Sequence, residues 1–427
     1  MKTIKFYTLG CKVNQYDTQE LKERFLSCGF KETSNGKPAD YYLINTCTVT
    51  QSADRKSRYL INFAHRQNPK AKIIVTGCYA QLDKKDISGI SGVTHIIKNS
   101  DKQRILEIIG AQKRLKKQNR LKDSGITAFS GRTRAFLKIQ DGCNNLCSYC
   151  KVPLVRGKSR SKALIDIVQE AGQLVKNGFK EIVLTGICLG GYGKDLKEKI
   201  NLVDVISALE KMGGLYRIRL SSIEAGDVSD TLIKKMAVSK KLCPHLHIPI
   251  QSGDDEILKK MNRKYKGADY LRLIRKIKSI VPGIAITTDV MVGFPGEGEA
   301  NFRNTLKLVK KIKPLKAHIF PYSKRKATAA ASFKEEINPK IIRERIARLN
   351  TVDRLCADDY KKGFLNKKFA VLIEGRHKEN RKFYEGFTDN YLPVLVKSES
   401  NLNNRLVSIY LKEIKDGHLL GQRIESA

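Results

Sequence analysis

The sequence predicts an α/β protein with three domains: an N-terminal parallel-sheet α/β domain, a central partial (β/α)6 barrel and a small antiparallel β-barrel at the C-terminus. Three observations predict this. The chain first repeats an apolar strand that ends in a cysteine and leads into a helix. A second series of apolar strands then alternates with amphipathic helices. Beyond residue 362 the apolar period drops to two.

In the N-terminal domain, residues 4–8 lead to Gly10-Cys11, residues 41–45 to Thr46-Cys47, and residues 73–76 to Gly77-Cys78. Segments 17–25 and 54–64 between them have helical periodicity. Strand–helix alternation implies a parallel sheet, with ligands bound beyond the carboxyl ends of its strands. Cys11, Cys47 and Cys78 all fall at such ends, so a shared three-thiolate site is expected there, with three separate buried thiols as the alternative. Domain 1–112 is followed by a charged run with a short helical pattern, and 113–130 reads as a basic connector.

The central domain, residues 131–362, has strands expected at 136–140, 181–185, 216–221, 245–250, 285–292 and 316–320. Helices lie between them; Leu164, Ile167, Val168, Ala171, Leu174 and Val175 form one apolar stripe. Six strands with crossover helices suggest an open barrel whose working groups sit on its C-terminal rim. A long basic helix, 339–362, closes this domain. In residues 363–427, Phe369-Val371-Ile373, Leu392-Val394-Val396 and Val407-Ile409-Leu411 alternate with polar residues between turn glycines and asparagines, the pattern of a small barrel.

The 427 residues carry 81 Lys and Arg against 43 Asp and Glu, a net charge of +38. Such a field draws polyanions, and clusters such as Arg156-Gly157-Lys158-Ser159-Arg160 favour a nucleic-acid partner over an evenly basic surface. No stretch is long and apolar enough for a membrane span, and the start does not read as an export signal, so no membrane association is expected. Ten cysteines in such a chain point to thiols and metal ligands in a reducing compartment, the cytoplasm.

Cys143, Cys147 and Cys150 in DGCNNLCSYC have C-x3-C-x2-C spacing. Three thiolates leave one iron of a [4Fe–4S] cluster open to an outside ligand. A zinc knuckle is the alternative, but no histidine or second cysteine pair lies nearby. This spacing is the mark of radical S-adenosylmethionine (SAM) enzymes, which place the SAM amino and carboxylate groups on that iron. With TLGCKVNQYDTQEL, LTGICLGGYGKDL, RIRLSSIE, HLHIPIQSG, TTDVMVGFPGE and NYLPV, the chain resembles the radical SAM methylthiotransferase family over essentially its whole length. The GCKVN segment is similar to the bacterial branch that acts on N6-threonylcarbamoyladenosine-37 of tRNA.

The resemblance implies a radical SAM barrel, a C-terminal TRAM-like RNA-binding domain and two [4Fe–4S] clusters, one per cysteine trio. It implies two SAM molecules per turnover, one as methyl donor and one cleaved to a 5′-deoxyadenosyl radical that takes hydrogen from adenine C2. The partners it implies are a tRNA anticodon stem-loop and a low-potential electron donor such as flavodoxin or ferredoxin. Isopentenyladenosine in tRNA or a ribosomal-protein aspartate remain alternative substrates.

Around SAM, the resemblance assigns Tyr149 to the adenine, Thr185 and Gly186 to the amino group, and Ser221, Ser222 and Glu224 to the ribose. Gln251, Val290 and Gly293 close the next strands; the glycine permits close approach of a ligand or simply a turn. Arg156 and Arg160 are candidates for the SAM carboxylate or RNA phosphates. Lys151 and Cys188 depart from the family pattern, where an apolar residue and a histidine are usual. Cys28, Cys243 and Cys356 match no cluster pattern and read as ordinary thiols.

Overall fold

Strand–helix alternation builds a five-stranded parallel sheet from the N-terminal segment, in the order β2-β1-β3-β4-β5. The structure, a computed structural model, describes residues 1–34, 36–111 and 125–424. Its first elements are β1 (Thr3–Thr8), α1 (Lys12–Ser27), β2 (Lys31–Glu32), β3 (Tyr41–Thr46), α2 (Gln51–Gln67), β4 (Lys72–Gly77), α3 (Cys78–Leu82), α4 (Lys84–Ser88), β5 (Val93–Ile96) and α5 (Ile105–Ile108). Central strands β3 and β4 are buried on both faces, which is why YYLINT and IIVTG read as continuous runs rather than alternations. The two edge strands were not visible as apolar runs: β2 is exposed and β5 only half-buried. Helices α1 and α2 start earlier than their periodicity indicates. Thr50 accepts a hydrogen bond from the Ala53 N–H and so caps α2.

The barrel segment comprises β6 (Arg134–Lys138), β7 (Gln140–Asp141), α6 (Val152–Arg156), β8 (Arg160–Ser161), α7 (Leu164–Lys176), β9 (Glu181–Thr185), α8 (Leu202–Glu210), β10 (Arg217–Leu220), α9 (Asp230–Val238), β11 (His245–His247), α10 (Asp255–Lys260), α11 (Gly267–Ile280), β12 (Ala285–Val292), α12 (Glu299–Ile312), β13 (Lys316–Pro321) and α13 (Pro339–Lys362). Two three-stranded parallel sheets, β10-β9-β6 and β11-β12-β13, are joined by single bridges Ile218↔Leu242 and Ser222↔His247. The strands therefore run in chain order from β6 to β13. Among the described residues no pairing closes β13 back onto β6.

A closed barrel follows, β14-β15-β16-β18-β17, from β14 (Lys368–Arg376), β15 (Phe383–Phe387), β16 (Pro393–Lys397), β17 (Leu406–Lys415) and β18 (His418–Arg423). It plugs the N-terminal end of the larger barrel. Arg217 donates to the carbonyls of Phe387 (2.9 Å) and Ala370 (2.6 Å), and Tyr391 stacks on His245 at 4.5 Å. Most of the connector expected at 113–130 lies outside the described residues. Beyond it, Glu23 on α1 accepts from the backbone N–H groups of Thr127 (2.8 Å) and Ala128 (3.0 Å).

Helix α1 lies against β6, and the contact is ionic. Asp17, buried on α1, takes Lys102 at 2.9 Å from its own domain, and Lys138 at 2.5 Å and Arg156 at 2.9 Å from the barrel. Burial alone would raise this carboxyl, but Lys102, Lys138 and Arg156 outweigh it and hold it well below the carboxylate range. Its stabilising contribution is therefore complete above the ordinary aspartate pKa of about 4 and is lost as pH falls through the lower folded value. Asp17→Asn strips Lys102 of its carboxylate, leaves Lys138 and Arg156 only Asp141, and should cost about 3–5 kcal/mol. Thermal unfolding should show a lower midpoint at neutral pH and a shallower loss of stability in acid than for the wild type.

Candidate functional site

The glycine before two of the N-terminal thiols is fixed by crowding. At Gly10 (φ +98°) a Cβ would sit 2.9 Å from the Cys47 Cβ; at Gly77 (φ +99°) it would meet the Thr46 carbonyl oxygen at 2.4 Å. Cys11, Cys47 and Cys78 thus follow three adjacent inner strands, β1, β3 and β4, at the C-terminal end of the sheet. Burial pushes the Cys47 thiol up to about 12, and desolvation by its neighbours also raises Cys11, whose side chain still reaches water. Arg156 opposes that rise at Cys11.

The loop bearing Cys143, Cys147 and Cys150 leaves the C-terminal end of β6 and is tied down at several points. Cys143 N–H donates to the Gly157 carbonyl (3.0 Å) and Cys150 N–H to that of Cys147 (3.1 Å). Ser148 bonds the backbone of Lys260 and Met261, and Asn262 Nδ2 donates to the Leu146 carbonyl (2.7 Å). Each sulfur has a nitrogen donor: Asn145 N at 3.4 Å from Cys143, Arg263 Nη1 at 3.5 Å from Cys147, and Val152 N at 3.4 Å from Cys150. Burial raises Cys147 and pushes Cys150 to about 12, whereas a hydrogen bond from Cys188 lowers Cys143 to about 7.

Both trios suit iron–sulfur clusters better than single ions. The trio of His, Cys, Asp or Glu whose ligand atoms all lie within 4.8 Å of one another is, among the described residues, His377, Glu385 and His418. Neither cysteine trio is drawn in so tightly, whereas one tetrahedral zinc with bonds of about 2.3 Å would hold thiolates about 3.8 Å apart. A cubane seats each thiolate on its own iron and takes the wider spacing. The two trios are also neighbours. Helix α3, which Cys78 opens, packs on α6, which follows Cys150. Asn99 Nδ2 lies 3.9 Å from the Cys78 sulfur and donates to the Val155 carbonyl at 2.8 Å. Lys151 is buried and pairs with Asp83 of the first domain at 3.2 Å.

The SAM-side candidates are spread along the barrel rim. Ser221 Oγ and Gln251 Oε1 are buried without a hydrogen-bond partner among the described residues, and Gln251 holds φ +65°. Glu224 is gripped by both guanidinium nitrogens of Arg263. Tyr149 packs edge-on to Phe294 at 6.5 Å. Thr185 Oγ1 donates to the Val183 carbonyl (3.1 Å), and Gly186 makes room for Gln140, whose Oε1 would lie 2.9 Å from an added Cβ. Ser222 bridges to His247, and the Val290 backbone pairs with Gln251. Gly293 (φ +78°) answers to α13: a Cβ there would strike Ile342 at 2.5 Å. Arg156, read from sequence as a ligand for SAM or phosphate, is instead spent on Asp17, Asp141 and Asn14 inside the domain junction. Cys28, Cys243 and Cys356 are buried, away from either trio.

The family description "Radical SAM superfamily" matches residues 137–309, and "Uncharacterized protein family UPF0004" matches residues 3–99. The chain is 40% identical to the threonylcarbamoyladenosine tRNA methylthiotransferase MtaB of Bacillus subtilis (strain 168), covering 98% of this chain and 95% of that one. The chain belongs to the radical SAM methylthiotransferase family. Within it, the Thermotoga maritima protein of the same name is 39% identical over 88% of this chain and 87% of its own. A tRNA-2-methylthio-N(6)-dimethylallyladenosine synthase from Lachnoclostridium phytofermentans is 34% identical over 99% and 96%. The fold is shared with the radical SAM methyltransferase TsrM of Kitasatospora setae, at TM-score 0.54 and 11% identity over 75% of each chain. Membership brings SAM and a [4Fe–4S] cluster.

Arg263 and Asn99 were not legible as site residues. Arg263 lies in a Lys- and Arg-rich turn after α10, and Asn99 in a short turn after β5; neither has a motif, and only folding brings them to sulfur. After anaerobic reconstitution, replacing Cys143, Cys147 and Cys150 together by Ala should leave about half the wild-type iron and sulfide, and replacing Cys11, Cys47 and Cys78 should do the same. Iron and acid-labile sulfide determinations read both outcomes.

Proposed function

We propose that this protein is a tRNA (N6-L-threonylcarbamoyladenosine(37)-C2)-methylthiotransferase, acting on the anticodon stem-loop in the cytoplasm. The observation that carries the reading is the meeting of the two cysteine trios across the α3–α6 contact. It is supported by the family of the chain and by its net charge of +38, which suits a tRNA partner. Among the described residues, no helix is long and apolar enough to cross a membrane.

In this reading Cys143, Cys147 and Cys150 hold one cluster, and Cys11, Cys47 and Cys78 hold a second. When bound, the clusters and SAM supply a radical able to remove the C2 hydrogen and a sulfur, methylated by a second SAM, to replace it. The chain itself binds, orients and shields. Ser221, Glu224 and Gln251 offer polar atoms to SAM along three strand ends, with Thr185, Gly186, Ser222, Val290 and Gly293 shaping the same rim and Tyr149 covering the loop. Arg263 fixes Glu224 and holds a positive charge beside Cys147. A low-potential flavodoxin or ferredoxin delivers the electron. The working division is 1–112, 113–130, 131–362 and 363–427.

The target base sits in a loop, so presenting it costs less than flipping a paired one. With Cys11, Cys47 and Cys78 replaced by Ala, the protein should still form 5′-deoxyadenosine under dithionite but make no methylthiolated nucleoside, as read by mass spectrometry of digested tRNA. Wild-type rates of methylthiolation in that variant would overturn the assignment of the N-terminal trio. Equal methylthiolation of tRNA with and without the threonylcarbamoyl group would overturn the substrate.

A further inference from the structure

The lumen of the larger barrel is polar, and most of its charges are already paired. On its floor Arg134, Arg217 and Arg219 share Glu181 at 3.9, 3.6 and 2.6 Å. Higher up, Lys138 is held by Asp17, and His247 by Thr287 (2.9 Å) and Asp289 (3.3 Å). Lys12 is different. It opens α1 directly after Cys11, is exposed, and has no carboxylate partner among the described residues.

Helix periodicity decides where Lys12 goes. Residues 12, 16 and 20 share one face of α1. Tyr16 on that face lies under the Lys138 ammonium at 4.9 Å and donates to Glu170 at 2.7 Å, which sets the face against β6 and α7. Lys12, one turn earlier, therefore stands at the side of the barrel left unpaired between β6 and β13. From the far edge, β13 presents His318, exposed and with its ring 5.6 Å from that of His247. Desolvation first, then His247, Lys316 and Lys12 against an opposing pull from Asp289, lower His318, and burial followed by Arg219, His247 and Lys12 lowers His245, so both lean toward the neutral imidazole.

Asp289, opposite His318 on β12, is engaged by His247 at 3.3 Å, and Lys12 has no carboxylate of its own, so the ammonium lacks a close counter-charge once a base and its stem-loop seal the lumen. The RNA phosphates stay with the backbone, outside. A threonylcarbamoyl adenine carries one group that meets the need, the carboxylate of its threonyl moiety. We propose that Lys12 and His318 form a carboxylate subsite, with the ammonium paired to that carboxylate and the His318 N–H donating to it. This rests on threonylcarbamoyladenosine being the substrate.

The test measures affinity of the full, cluster-loaded chain for three anticodon stem-loop RNAs: threonylcarbamoylated, its carboxylate methyl ester, and unmodified. Wild type should bind the acid tightest. Lys12→Gln should weaken the acid alone, roughly 10- to 100-fold, the range for losing a charge-assisted hydrogen bond. Lys12→Arg should keep the preference. His318→Ala, remote in sequence from the cysteines, should weaken the acid selectively and by less, and iron content checks that Lys12→Gln retains its clusters. Equal weakening toward all three RNAs would make Lys12 a phosphate contact and overturn the subsite, as would no change. If wild type binds acid and ester alike yet methylthiolates the acid, the subsite alone fails. If wild type does not methylthiolate the acid at all, the substrate reading fails with it.

Discussion

One buried carboxylate holds the two halves of this molecule in working register. Asp17 binds a lysine of its own domain and a lysine and an arginine of the barrel; without it Lys102 would be a stranded cation, and Lys138 and Arg156 would keep only Asp141, at 3.9 and 3.1 Å. The arrangement sets α1 against the edge strand β6, and from that placement the rest follows. Cys11, at the head of α1, is carried to the mouth of the barrel. Arg156, at the end of the helix that follows the radical-type loop, reaches back to Asn14 and lies close enough to Cys11 to oppose the rise of its thiol. Arg325, in the loop after β13, fastens the other side through Thr48 (2.8 Å) and Asp54 (2.5 Å). Ion pairs suit such a junction, because they fix direction as well as distance.

The local environment of the thiols bears on the proposed clusters. Burial raises four of the six, Cys11, Cys47, Cys147 and Cys150, so the protein alone favours the protonated forms. In the proposed reading cluster iron would reverse that preference, and the backbone N–H groups of Asn145 and Val152 are placed to share the thiolate charge. Cys188 adds a thiol that lowers Cys143 and donates to Asp227 at 3.5 Å.

Legibility in the sequence tracked the range of the interaction. The strand ends that carry Cys11, Cys47 and Cys78 were readable because an apolar run and its end are local properties. Buried strands β3, β4, β9 and β12 were readable from apolar runs, and α13 from Pro339 to Lys362 from its periodicity. Edge strands β2 and β5 and the barrel strands β15 and β18 were not, since they are short, partly exposed or interrupted by glycine. The junction was invisible for a different reason. Asp17 and Arg156 are 139 residues apart, and an arginine beside a cysteine motif looks the same in sequence whether it faces phosphate or a carboxylate. At Gly293 the sequence left a close ligand approach and a plain turn both open, and the packing of Ile342 shows one thing that excludes a side chain there.

The central claim is that the two trios hold clusters close together across the α3–α6 contact. Electron paramagnetic resonance of the reduced, reconstituted protein tests it most directly. The account predicts two reduced clusters per chain whose spins relax each other, with the coupling lost when either trio is replaced by alanine. A single cluster per chain, or two whose signals are independent of one another, would contradict it.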